Sequence, residues 1–218
     1  MKKISTKKMT ALAMFTALAV VMTLLLRVPL VPSVPFLTYD PKDVVIGLSG
    51  FLFGPLSAMI VSMLSSAIEI LFRGGNIIDW IMNVLSTCTL ICTAAFVYKR
   101  FHSKNGAFIG LLIGMAANIV MMLAWNYVMD PIYFGMPQEA VVVMLPAIAL
   151  FNFLKDSINI VIILLIYKPI SKALRRSGLI ESESKSSEIP SDKKTLALVG
   201  GIILATIVIF VLCMIFRG

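Results

Sequence analysis

The sequence predicts an all-α, polytopic bundle of transmembrane helices, six in one block and a seventh set apart. Three observations carry this. Apolar residues fill 59% of the 218 positions, the mean hydropathy is +0.98, and the apolar runs are continuous rather than alternating. Soluble domains are about half apolar, so lipid is the solvent for most of this chain. Only helices and closed barrels satisfy their own backbone hydrogen bonds in lipid, and barrel strands would alternate in character at every second residue.

The helices follow in order. Met9 to Leu26 is a first span. Asp43 to Phe53 is a short apolar run, closed by the breaker pair Gly54-Pro55, and Leu56 to Phe72 follows it. A crossing takes about 20 residues, so the short run is expected to be a partial or tilted helix paired with its successor. Ile77 to Tyr98, Ala107 to Met129 and Val141 to Ile170 complete the block of six. Residues 1–176 thus form one membrane domain. Ser177 to Lys194, rich in Ser and Glu, cannot bury enough apolar surface to order itself and reads as a cytoplasmic linker. Residues 195–218 carry the seventh span, Leu196 to Phe216.

Charge sets the orientation. Lys2, Lys3, Lys7 and Lys8 precede the first helix, Lys99, Arg100 and Lys104 follow the fourth, and Lys168, Lys172, Arg175, Arg176, Lys185, Lys193 and Lys194 follow the sixth. These groups hold 14 of the 19 basic residues. Positive residues stay in the cytoplasm, which puts the N-terminus inside a plasma membrane, the other loops outside and, after a seventh span, the C-terminus outside. The net charge of +8 is then a topology signal and does not imply nucleic acid as a partner. The first run is longer than a signal-peptide core, and Arg27-Val28-Pro29 offers no small-residue cleavage site, so it is read as a retained helix.

Several chemistries are missing from the sequence. It has no G-x-x-x-x-G-K-[ST] phosphate loop, no H-E-x-x-H and no G-x-S-x-G elbow. Cys88 and Cys92 stand four apart and Cys213 lies in the last apolar run, none with metal-ligand spacing. His102 sits alone among loop charges. No metal or cofactor is called for, and energy for uphill transport would have to come from a partner or an ion gradient.

Polar residues inside apolar runs are expensive and therefore functional candidates. Asn152, Lys155 and Asn159 recur at i, i+3 and i+7, which places them on one helix face. Lys155 and its neighbour Asp156 point about 100° apart and do not readily pair. Asn152 and Lys155 are thus candidate ligand contacts. Glu69 is expected to pair with Arg73 one turn on, and Asn83 reads either as a ligand contact or as interhelical glue. The stretch from Arg27 to Lys42 has prolines at 29, 32, 35 and 41, which predicts a stiff, extended lid. Trp125, Asn126, Tyr127, Asp130 and Tyr133 close the fifth helix, where aromatic residues equally suit a membrane interface.

Four motifs together resemble a known family. P-F-L-T-Y-D-P-K-D-V at Pro35 to Val44, F-x-F-G-P at Phe51 to Pro55, W-N-Y-x-x-x-P-x-Y at Trp125 to Tyr133 and F-N-x-x-K at Phe151 to Lys155 are similar, in order and spacing, to the riboflavin-specific S components of energy-coupling factor transporters. The resemblance spans about residues 9 to 176. It implies a six-helix protein that binds riboflavin near the outer face and docks on one membrane coupling protein and two ATP-binding subunits. Carried over by position, it implies that Leu37, Thr38, Tyr39 and Asp40, with Asn126, Asn152 and Lys155, surround the flavin. The apolar rings would then want Phe36, Leu37, Tyr39 or Trp125. It also implies a docking role for the A-x-x-x-A pair Ala13 and Ala17, whose small side chains otherwise suit packing within the chain's own bundle. The tail from Ser177 to Gly218 departs from the family pattern, and an anchor, a packing partner and a regulator of docking all fit it. An S component for another vitamin would share this architecture. A gradient-driven carrier or a membrane enzyme would change the mechanism, and against an enzyme the polar set lacks a nucleophile and base pair or paired carboxylates.

Overall fold

In the computed structural model, the described residues are 6–101 and 106–180. The linker beyond residue 180, the seventh span, His102 and Cys213 lie outside them. Seven α-helical segments and one π turn follow in order: α1 Thr6–Leu25, α2 Lys42–Phe53, α3 Pro55–Arg73, α4 Ile77–Thr87, the π turn Cys88–Cys92, α5 Thr93–Phe101, α6 Gly106–Phe134 and α7 Gln138–Arg176. The segments from Ile77 through Arg100 run as one continuous rod. With α1, α3, α6 and α7 it makes, among the described residues, five helices long and apolar enough to cross a membrane.

α2 is the sixth helix of the block. At 12 residues and 1.5 Å per residue it is far shorter than a bilayer, yet its residues from Lys42 to Phe51 are all buried. It packs against α1, α3, α7 and the π turn and so serves as the bundle's inner strut. Its end is set by Gly54 at φ 93°, a backbone conformation that costs other residues strain. Pro55 then starts α3 at the one turn where a missing N–H is harmless. α3 stops at Gly74, again left-handed, and α4 starts at an Asn76–Asp79 capping box.

The last two helices among the described residues overrun their predicted ends. α6 continues to Phe134 through Pro131, and α7 runs 39 residues with Pro146 and Pro169 inside it. Prolines are tolerated in membrane helices because neighbouring groups re-satisfy the freed carbonyls. The loop between α1 and α2 is also not the extended lid expected. It folds back on itself, joined by paired backbone hydrogen bonds between Val28 and Tyr39 (2.9 and 2.8 Å) and by turns at Val31–Val34 and Val34–Leu37. Its Val31, Val34 and Leu37 are buried on Ile148, Phe151 and Leu154 of α7, so apolar burial holds it shut.

A second close contact escaped the sequence reading. Gly110 and Gly114 of α6, a G-x-x-x-G pair, lie on the π turn and α5. A Cβ on Gly110 would come 2.7 Å from the Ala94 carbonyl oxygen, and one on Gly114 would collide with that of Leu90. By contrast, Ala13 and Ala17 face outward from the bundle, while Ala11 and Ala19 are buried. Ala13 and Ala17 therefore take no part in the packing among the described residues, whereas Ala11 and Ala19 do.

Candidate functional site

The ends of α1, α3 and α6, with the starts of α2, α4 and α7, meet at one end of the bundle. The basic residues Lys7, Lys8, Lys99, Arg100, Lys172, Arg175 and Arg176 lie at the other. Lys8 there donates to the Phe53 carbonyl at 3.3 Å. The loop-side end encloses a cavity of about 260 Å³. Phe36, Leu37, Thr38 and Asp40 of the folded loop wall it, as do Asn83 and Ser86 of α4, Met122 and Asn126 of α6, and Phe151, Asn152 and Lys155 of α7. A neighbouring cavity of about 160 Å³ shares Phe36, Leu37, Asp79, Met82 and Asn126 with it and adds Trp125, Asp130, Tyr133 and Phe134. The two make one trough with a polar end and an aromatic end.

The structure therefore brings together six of the seven principal candidates: Leu37, Thr38, Asp40, Asn126, Asn152 and Lys155. Phe36 and Asn83 join them, and Trp125 lines the aromatic end. Tyr39 is the exception. Its backbone is committed to Val28, and its side chain is not part of either wall. Its hydroxyl oxygen is buried without a hydrogen-bond partner among the described residues, and burial, then the Asp43 and Asp40 carboxylates, raise its pKa. Asn159, on the predicted face but one turn deeper than Lys155, is fully buried below the cavity.

Two amides are set for recognition. Asn126 is 2% and Asn152 4% exposed. Each spends one N–H on the carbonyl four residues back, at 2.7 Å to Met122 and 2.8 Å to Ile148. That anchor fixes which way each amide faces and leaves its remaining N–H and its oxygen for other partners. The Asn126 oxygen has none among the described residues.

The charged residues form two clamps. Lys42 pairs with Glu69 at 2.5 Å, and Arg27 approaches the same carboxylate at 3.8 Å. The expected Glu69–Arg73 pair is absent, because Arg73 turns away to donate to the Thr23 carbonyl of α1. Helix spacing alone favoured the neighbour one turn on, whereas the folded loop brings Lys42 closer. Asp43 forms the second clamp. It accepts from Thr87 at 2.6 Å and pairs with Lys155 at 2.9 Å; Lys155 also reaches the Ser86 hydroxyl at 3.3 Å. Asp156 instead accepts from Asn118 at 2.9 Å, so Lys155 and Asp156 do take separate partners. Asp40 accepts from Thr23 and from the Lys42 amide, both at 3.2 Å. The sequence reading missed Lys42, Asp43, Ser86 and Thr87. For Asp43 a signal existed, since an acid opening an apolar helix needs a cation and Lys155 was at hand.

The aromatic end is closed by two contacts. Tyr133 donates to Asp79 at 3.1 Å, and the Phe36 and Phe134 rings stand 5.0 Å apart. Chemically the trough offers stacking surface, two fixed amides, hydroxyls, carboxylates, guanidinium groups and an ammonium. Among the described residues no cluster of His, Cys, Asp and Glu is arranged to hold a metal.

Comparison with known proteins adds the following. Residues 7–170 match the family described as "ECF transporter, substrate-specific component". The riboflavin transporter RibU of Staphylococcus aureus is 28% identical over 178 residues, covering 78% of this chain and 93% of that protein. The riboflavin transporter FmnP of Bacillus subtilis is 28% identical over 127 residues, covering 56% and 66%. A solved structure of the S component of a bacterial ECF transporter superimposes with a TM-score of 0.69 at 27% identity, covering 78% of this chain and 98% of that one.

Proposed function

This multi-pass membrane chain belongs to the substrate-specific components of ECF transporters, and we propose on that footing that it captures riboflavin outside the cell for an ATP-driven importer. The observation that carries the reading is the trough itself, with the back-bonded amide of Asn152 at one end, that of Asn126 beside Phe36 where the two cavities meet, and Trp125 and Phe134 at the other end. A flavin has the matching halves. Its pyrimidine edge alternates acceptors with a donor, as a carboxamide does, and its fused rings seek aromatic and apolar walls. The ribityl hydroxyls are within the repertoire of Thr38, Asp40 and Lys155. Both named relatives are riboflavin transporters, which supports the same cargo here.

The basic end faces the cytoplasm on the charge argument, so the trough opens outward. With no phosphate loop in the sequence, hydrolysis falls to two ATP-binding subunits joined through a membrane coupling protein. The exposed Ala13 and Ala17 of α1 offer that coupling protein a flat, small-sided helix face. Nothing in the polar set amounts to catalytic machinery, and the protein acts as a binding subunit.

The test is direct. Protein purified in detergent from riboflavin-containing medium is expected to be yellow, with flavin absorbance, and the stripped protein is expected to quench added riboflavin fluorescence at stoichiometric ratio. Colourless protein that leaves riboflavin fluorescence unchanged would refute the assignment of cargo.

A further inference from the structure

We propose that Asp43, which lies behind the cavity wall, positions Lys155 and sets the site's preference for an uncharged ligand over its anionic counterpart. The inference deepens the flavin reading above and rests on it.

Asp43 is 1% exposed and sits in the first turn of α2, where the helix N-terminus favours an anion. One carboxylate oxygen takes the Thr87 hydroxyl at 2.6 Å and the other the Lys155 ammonium at 2.9 Å. Three helices thereby converge on one side chain. A lysine has a flexible four-carbon stem and three rotatable donors, so without a fixed partner its head would wander. The bond to Asp43, with Ser86 at 3.3 Å, gives it one address, and its side chain, 14% exposed, still reaches the cavity.

The same pair settles the site's charge. The wall carries three cations, Arg27, Arg73 and Lys155, against three anions, Asp40, Glu69 and Asp79. Behind it Lys42 stands on Glu69 and Asp43 on Lys155, which leaves the set balanced. Outside this count, Asp156 neighbours Lys155 along α7 and takes Asn118 as its partner, and Asp130 lines the aromatic end of the trough; both are common to parent and variants, so the comparison turns on the change at Asp43 and Lys155. Neutralising Asp43 leaves one excess positive charge at Lys155, in a setting where charges are poorly screened. An anionic ligand then gains relative to a neutral one. Neutralising Lys155 instead leaves an excess negative charge and shifts the preference the other way.

The experiment titrates purified, full-length protein with riboflavin and with riboflavin 5′-phosphate and compares the ratio of the two dissociation constants, phosphate over riboflavin. In Asp43→Asn the ratio is expected to fall roughly tenfold or more, with riboflavin itself bound about tenfold more weakly, the scale of one charge-assisted hydrogen bond. In Asp43→Asn/Lys155→Met the ratio returns to that of the parent. Asp43→Glu, which keeps the charge but displaces the ammonium, keeps the parent ratio while weakening riboflavin binding. An unchanged ratio in Asp43→Asn, or the same fall in the double variant, overturns the inference. If Asp43→Asn alone does not fold, Lys155→Met and the double variant decide: the ratio must rise in the first and return in the second, and equal ratios overturn the proposal. A parent protein that binds neither flavin removes the cargo reading and this inference together, whereas a parent that binds riboflavin leaves that reading standing whatever Asp43 does.

Discussion

Replacing Asn126 and Asn152 tests the binding site where its geometry is most specific. Each amide is nearly sealed from solvent and anchored to its own helix at 2.7 and 2.8 Å, so neither has to be ordered when ligand arrives. Truncation to Ala removes a pre-set donor and acceptor and leaves buried ligand groups unpaired. That costs about 1 to 3 kcal/mol per site, or roughly 5- to 150-fold in affinity. The two amides would serve one ligand, so the double variant should lose less than the product of the single losses. Asn152→Asp should be worse than Asn152→Ala. It replaces the N–H that meets the Ile148 carbonyl with a second oxygen and adds a negative charge to a balanced wall. Titration of riboflavin fluorescence with detergent-purified variants, each checked for a single gel-filtration peak, gives the dissociation constants. Ala variants that bind like the parent, or an Asp variant that binds better than the Ala variant, would refute this account of the amides.

Two further outcomes follow from the packing. Ala13→Leu/Ala17→Leu alters only an outward face, so riboflavin affinity of the isolated protein should stay within about twofold of the parent. Copurification with the coupling protein and vitamin uptake by cells should be lost, and normal uptake would place docking elsewhere. Gly110→Ala brings a methyl 2.7 Å from the backbone oxygen of Ala94, where ordinary contact starts at 3.4 Å. Such overpacking costs about 1 to 3 kcal/mol, and thermal unfolding should shift down by roughly 3 to 10 °C; an unchanged midpoint would show that α5 and α6 separate freely.

What was legible in the sequence was whatever has a local period or a charge rule behind it. The helices, the break at Gly54-Pro55, the short second helix and the face shared by Asn152 and Lys155 all come from spacing along one element. What was hidden depended on which elements meet. Glu69 has a cation one turn on in Arg73 and another 27 residues back in Lys42, and only the fold chooses Lys42. Tyr39 sits between Thr38 and Asp40, but pairing with Val28 takes it out of the wall. The small-residue pairs show the same limit. Ala13 with Ala17 and Gly110 with Gly114 look alike as text, yet one pair faces outward and the other is pressed against a neighbouring backbone.

The two clamps are hard to justify as sources of stability. Buried ion pairs often do no better than well-packed apolar residues of the same volume, because desolvation consumes most of the attraction. Here both occur at the loop-side end, while the opposite half of the bundle is an apolar core built from residues such as Phe15, Phe51, Leu111 and Ile163. The cost of both clamps thus falls where the cavity is. What the clamps supply is geometry: Lys42–Glu69 joins α2 to α3, and Asp43 joins α2 to α4 and α7. Thr23 of α1 is tied to Asp40 and Arg73 in the same region. An apolar seam between the same helices would allow sliding, since neighbouring packings differ little in energy when lipid and side chain are equally greasy. Directional pairs at 2.5 to 2.9 Å admit one register. Within the proposed role, an end that must hold amides and an ammonium in fixed places benefits from such pairs, and the outward face of α1, which meets a partner through small side chains, has no need of them.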